Sequence, residues 1–195
     1  MYIIGLTGPI GAGKSTVSAV WEQSGVPIVD ADVIAREVVA PGSECLRQLT
    51  VTFGNDILHQ DGSLNRSKLA DKAFASSEET AKLNAVTHPH IIARTRRILE
   101  QLADAGELLA VLEAPLLSGS GLEPLCDAIV VVTAPDDVRL TRIMKRDGLS
   151  EAQARQRMAA QINAAEYNQA VTHLLPSAED AAMFLDVLRQ EWGLD

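Results

Sequence analysis

Apolar residues along this chain fall into short continuous blocks, separated by longer stretches where they recur every three or four positions. The opening block "MYIIGLTG" (1–8) reads as a strand, and "STVSAVWEQSG" (15–25) behind it has helical spacing closed by Gly25. "VPIVDAD" (26–32), "LLAVLEAP" (108–115), "DAIVVVTAP" (127–135) and "VTHLLP" (171–176) supply further strands. Their continuous rather than alternating apolarity is that of parallel strands covered on both faces. Helical stretches, notably 33–103 and 136–169, lie between them. The pattern therefore predicts an α/β doubly wound fold with a five-stranded parallel sheet. Within 40–90, "APGS", "FGND", "QDGS" and "THPH" punctuate the chain, which predicts short helices and turns there. Such an insertion suits a cap over the carboxyl ends of the strands, where ligands of open α/β sheets bind. No repeat, low-complexity tract or linker marks a second independent domain in the 195 residues.

Composition narrows the partners. A formal net charge of −9 excludes a nucleic-acid-coating function, because phosphate-backbone binding needs a positive surface. No apolar run approaches the ~18 residues of a membrane span, and no charged and then hydrophobic leader opens the chain. A soluble, cytoplasmic protein without membrane or nucleic-acid partners is expected, and nothing in the pattern specifies an oligomeric state. Cys45 and Cys126 lie far apart without metal-ligand spacing and read as small buried apolar residues. One stretch departs from the acidic average. Residues 139–157 hold Arg139, Arg142, Lys145, Arg146, Arg155 and Arg157 against Asp147 and Glu151, a local positive site for an anionic ligand.

"GPIGAGKS" (8–15) fits G-x-x-x-x-G-K-[ST] in full, between a predicted strand and a predicted helix. Gly11, Ala12 and Gly13 would turn successive N–H groups toward a phosphate, and the helix N-terminus adds its dipole. Lys14 would reach the β- and γ-phosphates, the Ser15 hydroxyl would ligate Mg²⁺, and Thr16 would meet the α-phosphate through its N–H and hydroxyl. Regulatory GTPases share the loop but need a guanine-reading N/T-K-x-D after a later strand, where this chain has "TAPDD". A kinase or a work-performing ATPase remains.

Phosphoryl transfer also needs an acceptor oxygen, often with a carboxylate to receive its proton. In an extended "VDAD", Asp30 and Asp32 project to the same side from the end of the second strand, beside the phosphate loop. Either could serve as the base. Equally, either could cap the helix "VIAREVVA", and Asp30 could meet Mg²⁺ through water. Glu113, ending the third strand, has the same two uses. Arg139, Arg142 and Arg146, at i, i+3 and i+7, share one helix face.

In order and spacing, "LTGPIGAGKSTV", "VDADVIAREVVAPG", "FGNDILHQDGSLNRSKLADKAF", "LNAVTHPHI", "APLL" and "RIMKRDGLS" with "RMAAQ" resemble the dephospho-CoA kinase family over residues 2–166. The resemblance implies a three-layer P-loop fold of the nucleoside-monophosphate-kinase kind, with an acceptor-binding helical region at about 40–103 and a lid at about 139–166 on a core of 1–39, 104–138 and 167–195. It implies ATP and Mg²⁺ as cofactors and phosphorylation of the ribose 3'-hydroxyl of dephospho-CoA, the last step of coenzyme A synthesis. By position it makes Asp32 the carboxylate that orients or deprotonates that hydroxyl. Thr7 falls near the acceptor, and Arg66, His88 and Pro89 fall in the region that holds it. Arg142 and Arg146 fill the lid's arginine positions, with Arg157 and Gln161 as the next pair on the return helix. Without the family, His88 before Pro89 reads as a turn residue and Arg66 as a solvated helix arginine.

This chain departs from the family pattern in two stretches. "PLLSGSG" puts Gly119 where an acid is usual, and "AVTHLLPSA" puts Val171, Pro176 and Ala178 at the positions bordering the adenine, which shifts base recognition toward backbone groups. The rivals are another small-metabolite kinase of the shikimate-kinase kind, whose pattern lacks the FG…DG…LNR…HP series, and a nucleotide-binding regulatory protein without turnover.

Overall fold

A computed structural model describes residues 1–160 and 172–194. Five parallel strands form one sheet: β1 (Tyr2–Thr7), β2 (Ile28–Asp30), β3 (Leu109–Glu113), β4 (Ala128–Val132) and β5 (His173–Leu175), in the order β2-β3-β1-β4-β5. The central strand β1 pairs with β3 from Tyr2↔Leu109 to Leu6↔Glu113 and with β4 from Ile4↔Ala128 to Thr7↔Val131. All five blocks expected from the apolar pattern are strands, each shorter than its block.

The chain divides into two compact units, Met1–Asp30 with Leu99–Asp195, and Ala31–Ile98. In the first, α1 (Lys14–Gln23) and α8 (Ala181–Trp192) pack together. Their apolar faces join Ile4, Leu6, Val111, Val130 and Val132 of the sheet in one core. Trp21 is wholly buried there, and its indole N–H donates to the Ala181 carbonyl at 2.7 Å, so the largest core side chain leaves no polar atom unpaired. Two further helices, α6 (Asp136–Asp147) and α7 (Glu151–Ala159), form a hairpin around Leu140, Ile143 and Ala154. Gly148 ends α6 in the left-handed conformation, and Ser150 starts α7 with a capping box to Gln153.

The second unit comprises α2 (Ala31–Glu37), α3 (Glu44–Phe53), a 3₁₀ turn (Asn55–Ile57), α4 (Arg66–Ala73) and most of α5 (Ser77–Asp104). Ser43 caps α3 and Asn65 caps α4, each through its side-chain oxygen. Cys45, Leu49, Phe53, Ile57, Leu69 and Ala73 are its core, with Leu83 and Val86 of α5 packed against them. Lys72 explains much of the FG…D spacing. Its ammonium donates to the Phe53 carbonyl and to Asp56, each at 2.6 Å, and so closes the turn at Gly54.

Two expectations need correction. The second strand stops at Asp30, and Ala31 already belongs to α2, so Asp32 sits in the first helical turn rather than at a strand end. Asp30 and Asp32 are therefore not on one side of an extended segment, and Asp32 is not the residue that precedes the helix as its cap. "THPH" is likewise no turn: His88 and Pro89 lie inside the 28-residue helix α5. Proline there costs about 3 kcal/mol in propensity, yet Leu83 and Val86 on the preceding turns are held in the unit's core. Ala85, whose carbonyl loses its donor to the proline ring, is exposed, as is Pro89 itself, so solvent can satisfy that carbonyl.

Candidate active site

The phosphate loop runs from the carboxyl end of β1 to the first turn of α1. Gly8 has φ +149°, and a Cβ there would stand 2.3 Å from the Val132 carbonyl oxygen of β4, so only glycine lets β1 leave the sheet here. Gly11 has φ +78°, and its missing Cβ would meet the backbone of Arg139 on α6 at 2.8 Å. Gly13, left-handed, is the N-cap of α1 and has no side chain to occupy the helix end. The Lys14 ammonium folds back over the loop to the Gly8 carbonyl at 2.7 Å. Ser15 and Thr16 are exposed on the first turn of α1. The Thr16 N–H donates to the Gly13 carbonyl at 3.0 Å, so of the two Thr16 groups assigned to the α-phosphate the N–H is taken up in the turn.

Behind the loop, the carboxyl ends of β2 and β3 bring Asp30 and Glu113 into register as partners. Ser18, one turn beyond Lys14 and buried, donates its hydroxyl to the Glu113 carboxylate in a short hydrogen bond. A polar residue on the buried face of α1 was the only sequence signal for Ser18, and Glu113 was the partner it lacked. Thr7 is buried at the end of β1, where its hydroxyl donates to the Pro115 carbonyl at 3.2 Å. It ties β1 to the chain leaving β3.

The five arginines of 139–157 divide into three groups. Arg139 and Arg142 turn to the loop: the Arg139 Nε donates to the Ile10 carbonyl at 3.0 Å, and Arg142 Nη1 donates to the carbonyls of Ala12 at 2.9 Å and Gly11 at 3.3 Å. Arg146 and Arg157 converge on Asp147, with N···O distances of 2.7 Å and 2.6 Å. The Arg146 guanidinium, followed by Arg157, holds the Asp147 carboxyl below the usual carboxylate range, and Asp147 raises Arg146 in turn. Arg155 pairs with Glu151 on the outer face of α7. Gln161 and Val171 lie outside the described residues. Ala178 is buried, its Cβ 3.0 Å from where a Cβ on Gly13 would lie, and Pro176 follows β5 directly. Gly119, φ +72°, occupies an open turn after Leu117.

Within the helical unit, Asp32 is exposed on the first turn of α2 and Arg66 is the exposed first residue of α4. His88 is half-buried on α5. Further along the same helix, His90 meets the Gln48 side chain at 3.1 Å, and Arg94 pairs with Glu37 at 3.3 Å. Among the described residues no three His, Cys, Asp or Glu side chains cluster as a ready-made metal site, and no helix is long and apolar enough to cross a membrane. The thiols are inert by environment. Cys45 is buried, and burial, followed by the nearby charges of Asp127 and Glu123, pushes Cys126 up to about 12.

The protein-family model for dephospho-CoA kinase matches residues 2–180. The chain belongs to the dephospho-CoA kinase family. A dephospho-CoA kinase of Corynebacterium jeikeium is 44% identical over 193 residues, covering 99% of both chains, and that of Moorella thermoacetica is 42% identical over 98% of this chain and 91% of its own. Among solved structures, a dephospho-CoA kinase from Campylobacter jejuni superposes with a TM-score of 0.70 at 25% identity, covering 99% of this chain and 98% of its own. A Thermus thermophilus protein superposes at 0.78 and 33%, covering 97% of each chain. A shikimate kinase from Bacteroides thetaiotaomicron, at 0.50 and 17% identity, shares the P-loop kinase fold alone. The strand order around the loop is thus that of a P-loop kinase, and the family membership extends over nearly the whole chain.

Proposed function

We propose that this protein transfers the γ-phosphoryl group of ATP to the ribose 3'-hydroxyl of dephospho-CoA, releasing ADP and CoA, as the last step of coenzyme A synthesis in the cytoplasm. The observation that carries this reading is the family match over residues 2–180 on a chain whose phosphate loop is intact in sequence and geometry.

In this reading the Gly11 and Gly13 amides, on either side of an Ala12 whose own N–H is held by the Pro9 carbonyl, and the exposed hydroxyls of Ser15 and Thr16 receive the triphosphate. Lys14 leaves the Gly8 carbonyl for the β- and γ-phosphates, exchanging a neutral acceptor for a charged one. The bond from the acceptor oxygen to the γ-phosphorus forms as the β–γ bridging bond breaks, and Asp32 takes the proton of the hydroxyl. Thr7 shapes the same region indirectly, by fixing Pro115. Arg66, His88 and Pro89, in the helical region of about 40–103, hold the acceptor, and Arg157 and Gln161 extend that contact from the lid of about 139–166. Arg142 and Arg146 neutralise charge developing on the transferred group. For Arg142 this means leaving the carbonyls of Gly11 and Ala12, and for Arg146 leaving Asp147. The oxygen-only donor set of Ser15, Asp30 and Glu113 fits Mg²⁺, a hard ion that keeps most of its waters. Ser15 would hold it directly and the carboxylates through water, and when bound it supplies charge neutralisation between the β- and γ-phosphates.

Purified protein incubated with Mg-ATP and dephospho-CoA should yield ADP and CoA in equal amounts by chromatography, and should leave shikimate unphosphorylated. Absence of CoA at micromolar enzyme would overturn the reading. Asp32→Asn should lower turnover by about 10²- to 10⁴-fold while ATP binding stays near wild type. Near-normal turnover would remove Asp32 from the base role.

A further inference from the structure

A loop that binds phosphate must keep its N–H groups turned to one side, so its carbonyls turn to the other. Each peptide is planar, so the carbonyl of one residue and the N–H of the next rotate together. In this loop the restraint comes from α6. The Arg139 Nε donates to the Ile10 carbonyl at 3.0 Å, which fixes the plane that carries the Gly11 N–H. Arg142 Nη1 donates to Ala12 at 2.9 Å and to Gly11 at 3.3 Å, which fixes the planes carrying the N–H groups of Gly13 and Ala12. The Ala12 N–H is already held by the Pro9 carbonyl at 3.1 Å, so Gly11 and Gly13 are the amides whose direction depends on α6.

The two arginines are not equivalent. Arg142 is the one that phosphoryl transfer would call away to the phosphates. Arg139 is anchored at both ends of its guanidinium, by Ile10 and, through Nη1, by Asp136 at 2.8 Å. Its side chain is only 13% exposed, against 61% for Arg146 and 53% for Arg157. Its backbone packs flat on Gly11, where a Cβ would come within 2.8 Å of its carbonyl oxygen and 3.1 Å of its Cα.

We propose that Arg139 is a positioning residue for the donor site: it stays on the Ile10 carbonyl throughout and keeps the Gly11 N–H aimed at the triphosphate while Arg142 exchanges between loop and substrate. The proposal rests on ATP being the phosphoryl donor. Its ADP-binding and amide-exchange measurements need no acceptor, so failure to form CoA would count against the function above and leave these two measurements intact.

The variants are Arg139→Met, which keeps the apolar stem, and Arg139→Lys, which keeps a donor. Arg139→Met should weaken ADP binding, read by titration calorimetry, by about tenfold, the loss of one charge-assisted hydrogen bond. Amide hydrogen exchange over residues 9–15 of the nucleotide-free protein should accelerate. In the assay, KM for ATP should rise while KM for dephospho-CoA holds, and Arg139→Lys should recover most of both losses. A role in hairpin stability alone would move both KM values or neither and would not be rescued by lysine. Should Arg139→Met fail to fold, Asp136→Asn releases only the far end of the guanidinium and should weaken ADP binding by about two- to threefold. ADP affinity within experimental error of wild type in whichever variant folds, with unchanged loop exchange, would overturn the proposal.

Discussion

Gly8→Ala is the sharpest probe of how the loop leaves the sheet. The added Cβ would lie 2.3 Å from the Val132 carbonyl oxygen, whereas real Cβ atoms stay beyond 3.0 Å, so one of the two must move by at least 0.7 Å, the difference between these distances. The atom struck is backbone, in a strand bonded on both sides, to β1 and to β5. No side-chain rotation relieves it. Overpacking of this kind costs about 1–3 kcal/mol, and a non-glycine residue at φ +149° adds strain of about 1–3 kcal/mol. A loss of about 2–6 kcal/mol is therefore expected, a large fraction of the 5–15 kcal/mol that holds a typical domain together. Urea unfolding followed by tryptophan fluorescence is the assay, because Trp21 and Trp192 both belong to the sheet unit. The phosphate loop begins at this residue, so the shift also misplaces the loop amides that face the phosphates, and ADP affinity should fall with stability. A change below about 1 kcal/mol with normal ADP binding would refute the geometry on which this reasoning stands.

Pro89→Ala should lengthen the hydrogen-bonded run of α5 and stabilise the helical unit by about 1–3 kcal/mol, read as slower amide exchange in 85–93. KM for dephospho-CoA should rise in the same variant if Pro89 helps to hold the acceptor, and an unchanged KM would release Pro89 from that role. Cys126 predicts a loss of stability at high pH. In the folded chain its thiol ionises at about 12 against 9.0 when exposed, so between these values the unfolded chain binds fewer protons and unfolding is favoured as pH rises. Cys126→Ala should flatten the fall of the urea midpoint above pH 9.0, and an identical fall in both proteins would show that the thiol does not cause it.

Legibility tracked the range of the interaction. The sheet was readable because β1, β3 and β4 are buried on both faces and each is a continuous apolar block. Element boundaries failed where no glycine or proline separates strand from helix: "IVDADVIA" passes from one to the other at Ala31, and its two aspartates, each a favoured cap residue, leave the position of the boundary open. Pro89 misled in the opposite sense, since local propensity predicted a break and the packing of Leu83 and Val86 overrode it. The phosphate loop is local and stood in the sequence complete. Its supports are not local, for Arg139 lies 129 residues from Ile10 and Ser18 lies 95 from Glu113, and spacing along a helix says nothing about what that helix faces. The same limit applied to the basic cluster, where similar arginines have three different partners.

The central position of β1 also sets an order in time. It is made before the other four strands of the sheet, yet its partners are 107 residues later in β3, at Tyr2↔Leu109, and 124 later in β4, at Ile4↔Ala128. At about 5–20 residues per second, synthesis of the intervening chain lasts roughly 6–25 s, during which an apolar strand and an unsupported glycine-rich loop wait outside the ribosome. The carbonyls of Ile10, Gly11 and Ala12 find their arginine donors only when α6 has emerged. A nascent chain cut off before Arg139 should therefore contain every residue of the nucleotide motif and still lack the braced form of the loop.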